Sequence, residues 1–148
     1  MKPCWIFDLD GTLANGDHRL HHIQKTPKDW TAYFAACRGD APIGHMIALF
    51  SALAADYDCF ICSGRSDEVR ADTVAWLNDA TDMRFVDDDV LMRKAGDHRP
   101  DHVIKIEMLA ELRARGYEPL MVFDDRNSVV KAWRAAGVPC AQIAEGDF

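Results

Sequence analysis

"CWIFDLDGTL" (residues 4–13) sets an apolar run directly before two carboxylates one residue apart, with Gly-Thr following at once. Residues 4–7 read as a buried strand, and acids at a strand end cost stability unless something uses them. The stretch asks for a partner elsewhere in the chain. Working outward, strands and helices alternate. "IGHMIALFSALAAD" (43–56) has helical periodicity, and "YDCFIC" (57–62) is a second strand. "SDEVRADTVAWLND" (66–79) predicts a helix capped by Ser66, with Val69, Thr73, Val74 and Leu77 along one side. "DVLMR" (89–93) is a short strand. Pro100 opens a helix over 101–115 that Gly116 closes; "PLMVF" (119–123) is a strand. A helix over 127–137, closed by Gly137, and a last strand over 139–144 complete the order.

Apolar strands separated by amphipathic helices predict an α/β fold with a central parallel sheet covered on both faces. Ligands then belong at the carboxyl ends of the strands. Residues 14–42 break the alternation: polar, aromatic and partly helical, they read as a small insertion over that edge. There is no internal repeat, and the 148 residues predict a single domain over 1–148.

Composition narrows the function. No stretch approaches the ~20 apolar residues of a membrane span, no signal peptide is evident, and a cytoplasmic protein is expected. The net charge of −7 argues against a broad basic surface gripping duplex nucleic acid, but not against a small phosphate held by a few arginines. Five cysteines follow no disulfide framework. Cys59 and Cys62, three apart on a strand, point to opposite faces and read as core thiols.

The groups just after each strand answer the opening stretch. They are Asp8 and Asp10, then Ser63 and Arg65 in "CSGRS", then Asp124 and Asp125; Asp101 and Lys105 lie on the helix before the last of these strands. A parallel sheet gathers them at one edge. Clustered carboxylates repel unless a cation sits among them, and an all-oxygen set suits Mg²⁺. Such an ion, held by Asp8 and the Asp124-Asp125 pair, prefers a phosphate oxygen as a further ligand, with Lys105, Ser63 and Arg65 donating to the remaining oxygens. Asp8 is placed to attack phosphorus, and Asp10 to protonate the leaving oxygen and then deprotonate water. The inference is phosphoryl transfer through an aspartyl-phosphate.

"DLDGTLA", "ICSGRS", Lys105 and "VFDDR" resemble the four motifs of the haloacid dehalogenase superfamily, which uses this mechanism on a three-layer Rossmann-like sheet. "MRKAGDHRPDHVIKIEML" and "FDDRNSVVKAWRAAGVPCAQIAEGDF" further resemble the phosphatase domain of phage polynucleotide kinase/3′-phosphatase, most closely over 92–148. That resemblance implies removal of a 3′-phosphate from a nucleotide or nucleic acid end. By it, Asp8 is the nucleophile and Asp10 the acid/base. Ser63, Gly64, Arg65 and Lys105 bind phosphate; Asp8, Asp10 (through its carbonyl) and Asp125, with Asp124 in the same acidic pair, hold the metal. Arg19, matched by its spacing from Asp8, and Asp101 fall on further positions needed for activity. No G-x-x-x-x-G-K-[ST] loop occurs, so no 5′-kinase activity is expected.

Blander readings stand beside these. Asp101 and Lys105 also fit an exposed i,i+4 pair. His18, His21 and His22 lack partners for a zinc site and read as solvated or substrate-contacting, and "DDD" (87–89) reads as an exposed turn. Trp30, Tyr33 and Phe34 read as packing the insertion onto the body, or else as stacking on a base, or serving a neighbouring subunit in a homo-oligomer. Trp76 and Trp133 read as core. The rival functions are a phosphatase of free mononucleotides or other small phosphate esters, and a binding module that has kept the fold without turnover.

Overall fold

The computed structural model describes residues 1–148 in full. Five parallel strands form one sheet: β1 (Lys2–Phe7), β4 (Asp58–Ser66), β5 (Val90–Arg93), β6 (Tyr117–Asp124) and β7 (Cys140–Gln142), in spatial order β5-β4-β1-β6-β7. Phe7 lies between Ile61 and Phe123, so β1 ends in the middle of the carboxyl edge. The strand read at 139–144 is shorter, and β6 starts two residues earlier than its apolar run.

Alternation along the strands builds two cores. Cys4, Ile6, Phe60, Cys62 and Val122 face α4 (Asp101–Ala114) and α5 (Asn127–Ala135), which bring Ile104, Met108, Leu112, Val130 and Trp133. Phe7, Ile61 and Phe123 face α2 (Gly44–Ala54) and α3 (Arg70–Thr81), with Phe50, Trp76 and Leu77. Each fully buried side chain of this kind contributes about 1.5–3 kcal/mol by leaving water. Helix, sheet and helix make the three layers expected of an α/β fold with a covered parallel sheet. Cys59 and Cys62 divide between the two cores, and all five cysteines are free thiols.

Ser66 caps a 3₁₀ turn over Asp67–Val69 instead of α3 itself, accepting from the Glu68 N–H, so the α-helix begins at Arg70. Asp87–Asp89 form an exposed turn ahead of β5. The segment after β1 is pinched at its base by a two-stranded antiparallel ladder, β2 (Ala14–Asn15) against β3 (Ala41–Pro42). Between them run a 3₁₀ turn over Asp17–His22, α1 (Trp30–Ala35) and a second turn over Ala36–Gly39. No helix is long and apolar enough to cross a membrane.

Candidate active site

β1 stops at Phe7, and the chain turns tightly: the Leu9 carbonyl accepts the N–H groups of Thr12, Leu13 and Ala14. Gly11 makes this turn at φ +81°, and a Cβ there would overlap Asp125 Oδ2, so the loop approaches the end of β6 only because it carries glycine. The turn leaves the N–H groups of Leu9 and Asp10 without a backbone partner. Asp8 itself is buried. Its N–H donates to the Phe123 carbonyl, Oδ2 accepts from Thr12 Oγ1 at 3.1 Å, and Oδ1 accepts from Lys105 Nζ at 2.7 Å.

Lys105 is 1% exposed and reaches Asp124 Oδ2 as well, at 3.2 Å. The exposed i,i+4 reading with Asp101 is thereby excluded: the lysine turns inward to the strand ends. Asp124 is held through both oxygens. Its Oδ1 accepts the Asp125 N–H, and its Oδ2 accepts from Trp133 Nε1, at 3.2 Å, as well as from the lysine. Trp133 is core, as read, yet it also orients an acid of the site.

Asp8, Asp124 and Asp125, all buried, offer carboxylate oxygens within 4.8 Å of one another. Burial, then the charges of Asp124 and Asp125, push the Asp8 carboxyl well above the ordinary range against the pull of Lys105. Burial and Asp124 also raise Asp125. Burial disfavours the Lys105 cation, but Asp124 and Asp8 outweigh it and hold the amine charged. The lysine is satisfied and the acids are not, because three carboxylates share one cation. Crowded hard oxygen donors with surplus negative charge are the surroundings a divalent cation fits.

Asp10 turns away from this triad. Arg65 grips it through Nε (3.0 Å) and Nη2 (2.7 Å), and Arg19 Nη2 donates to it at 2.8 Å. Burial raises Asp10, but these guanidiniums and Lys105 prevail, so its carboxyl lies below the usual range. Its side chain stands apart from the acidic triad.

Neither arginine is a free cation. A buried carboxylate, Asp40, fastens both: it takes Arg19 Nε at 2.7 Å and Nη2 at 2.8 Å, and Arg65 Nη2 at 2.8 Å. Arg65 Nη1 donates to Thr73 Oγ1, and His18 Nε2 meets Asp40 Oδ1. The Asp40 carbonyl accepts from Trp76 Nε1. Asp40 was not legible beforehand; it sits in the irregular insertion and no motif marks it. Both guanidiniums are thus engaged by the carboxylates of Asp10 and Asp40.

Ser63 is buried at the end of β4, its Oγ accepting the Arg65 N–H at 3.1 Å. Gly64 has no room for a side chain, since a Cβ would overlap Asp101 Oδ1. Asp101 in turn is held by Arg93 Nη2 at 2.9 Å, and Arg93 Nε donates to the Gly64 carbonyl at 2.8 Å. Arg126 stands 3.7 Å from the other Asp101 oxygen. All ten residues expected at the site thus lie at one sheet edge, with Asp101 and Gly64 forming its wall. His18 is tied to Asp40, whereas the His21 and His22 rings meet at 4.0 Å in a tilted arrangement. Trp30, Tyr33 and Phe34 pack on one another, not into the body, and none is buried.

The fold recurs in a class C acid phosphatase from Bacillus anthracis (TM-score 0.68, 14% identity, 99% of this chain and 68% of that one). It recurs again in a haloacid dehalogenase-like hydrolase from Streptococcus pneumoniae (TM-score 0.64, 15% identity, 94% of this chain and 83% of that one). This three-layer architecture is the haloacid dehalogenase-like fold. The model of the polynucleotide kinase PNKP phosphatase domain matches residues 2–148, and the chain belongs to that family. It is also similar to a chain of the Pnkp1/Rnl/Hen1 RNA repair complex (TM-score 0.80, 27% identity) and to one of a second Pnkp1/Rnl/Hen1 complex (TM-score 0.82, 27% identity). All of this chain is covered in both, but it spans only 44% and 48% of those chains.

Proposed function

We propose that the protein is a Mg²⁺-dependent phosphomonoesterase that works through an aspartyl-phosphate on Asp8 and removes the 3′-phosphate from a polynucleotide or nucleotide end. The observation that carries this reading is Asp8 Oδ1 held at 2.7 Å by Lys105 Nζ, inside the Asp8–Asp124–Asp125 cluster. Family membership supports a polynucleotide end, as does the likeness to chains of an RNA repair complex.

In this reading Asp8, Asp124 and Asp125, with the Asp10 carbonyl, hold the Mg²⁺. When bound, the ion offsets negative charge on the phosphate and on the carboxylates around it. Lys105 and the N–H groups of Leu9 and Asp10 orient the phosphate oxygens, and Ser63 and Gly64 close the β4 side. Asp8 attacks phosphorus: its oxygen–phosphorus bond forms as the bond to the 3′-oxygen breaks. Asp10 gives that oxygen its proton. Water then attacks the aspartyl-phosphate, Asp10 takes the water proton, and phosphate leaves with Asp8 restored.

Asp10 rests ionised between two guanidiniums, so its proton must be acquired as substrate binds. An incoming phosphate dianion adds negative charge beside it and favours protonation. Arg19, Arg65 and Asp40 aim that carboxyl, and residues 14–42 act as a small cap on the leaving-group side.

Phosphate release from 3′-phosphorylated oligonucleotides, 3′-mononucleotides and 5′-mononucleotides, with Mg²⁺ and with EDTA, tests the proposal. Hydrolysis of the 3′ substrates that requires Mg²⁺ is expected. A preference for 5′-mononucleotides would overturn the 3′ assignment, and no hydrolysis of any phosphate ester would leave a binding module.

A further inference from the structure

The insertion carries an aromatic cluster that the mechanism above leaves without a task. Trp30 meets Tyr33 edge-on at 5.7 Å and stacks with Phe34 at 6.0 Å, and Trp30 is 49% exposed. The six-residue helix fully buries none of its three rings, with Tyr33 and Phe34 half-buried beneath an exposed Trp30, and so leaves aromatic surface open to a ligand. Its connections show which one. The Tyr33 ring lies 4.3 Å from the Arg19 guanidinium carbon, and Arg19 donates both to the Tyr33 carbonyl and to Asp10. One guanidinium therefore separates the rings from the carboxylate that serves the leaving oxygen.

Charge argues in the same direction. Residues 14–42 hold four Lys/Arg against three Asp, a net +1 within a chain of −7. Lys28 Nζ stands 5.8 Å over the Trp30 ring. An exposed indole with a lysine at its rim suits a base attached to a polyanionic backbone. A second copy would bring the same positive patch against itself.

We infer that Trp30, Tyr33 and Phe34 form a stacking platform for the nucleobase of the terminal nucleotide, the one whose 3′-phosphate is removed. The inference rests on the phosphatase reading above and adds to it the contact that holds the leaving nucleoside.

The test compares two 3′-phosphorylated single-stranded oligonucleotides that differ only in having a normal or an abasic terminal nucleotide. The wild type should favour the base-bearing end by about ten-fold in KM, within the range of one base–aromatic stack. Trp30→Ala should erase that preference, and Trp30→Phe should keep most of it. Equal KM values for both ends in the wild type, or a preference unchanged in Trp30→Ala, would overturn the platform alone. Loss of self-association in Trp30→Ala with equal damage on both substrates would assign the rings to a subunit contact instead. No phosphate release from either oligonucleotide by the wild type would be a failure of the 3′-phosphatase reading, and the platform would fall with it.

Discussion

Lys105 Nζ lies 2.7 Å from Asp8 Oδ1, although 97 positions separate the two residues along the chain. The lysine needs the carboxylate to be buried as a cation, and the carboxylate needs the lysine to remain partly ionised among other acids. Removing the lysine strands both buried acids, whereas neutralising Asp8 leaves the lysine its second partner, Asp124.

Lys105→Met should therefore abolish turnover and destabilise the metal-free protein by about 3 kcal/mol at neutral pH. The stranded acids are relieved by protonation, so the deficit should shrink as pH falls toward 5. Denaturant melts of both proteins in EDTA at pH 8 and pH 5 check this. A deficit that grows on acidification would contradict it.

Asp8→Asn should abolish phosphate release and yet melt no lower than the wild type in EDTA. The folded protein raises the Asp8 carboxyl, so ionised Asp8 costs stability that grows as pH rises above the carboxylate range. The amide removes that cost at nearly constant shape. Beryllium fluoride should form an adduct on Asp8 in the wild type and none in the variant.

Asp10→Asn should spare leaving groups that need no proton. Hydrolysis of p-nitrophenyl phosphate should fall far less than that of a 3′-phosphorylated end, where about 10²–10⁴-fold is the usual worth of general acid–base catalysis. Equal losses on both substrates would remove Asp10 from the proton step.

Asp40 fastens Arg19 and Arg65 without touching the acidic triad. Asp40→Ala leaves two buried guanidiniums under-paired and should cost about 3 kcal/mol. In a chain of this size that lowers the melting temperature by roughly 6–12 °C. Calorimetry checks the shift, and phosphate release should fall with it as Asp10 loses its fixed direction.

Burial pushes the thiols of Cys4, Cys59, Cys62 and Cys140 up to about 12. The native protein should react slowly with a thiol reagent at pH 8, and the unfolded protein at once. Because unfolded thiols ionise near 8.5, stability should be intact below that pH and decline steadily from about 9 to 12. Flat stability across that window would contradict the burial.

Local pattern carried most of the fold. Strand and helix alternation, Pro100 at a helix start and apolar faces of period 2 or 3.6 are short-range signals, and they yielded the five strands, the four main helices and their layers. The acids after β1 and β6 were legible because a parallel sheet must bring its carboxyl ends together, whatever lies between them in sequence. The insertion was not legible in the same way. Its aromatic spacing resembles a packed helix, but it lacks a long amphipathic face to specify where it docks.

From sequence alone came the α/β architecture, the gathering of Asp8, Asp10, Ser63, Arg65, Lys105, Asp124 and Asp125, and the phosphoryl chemistry they support. Tertiary structure alone decided that Lys105 turns inward to two acids, that Asp40 fastens both arginines, and that Trp30 stays exposed with Tyr33 and Phe34 half-buried beside it. Ion pairs and ring contacts between distant segments depend on a few ångströms of side-chain placement. No periodicity encodes that, because charge partners and stacking partners are chosen by distance in space and not by order along the chain.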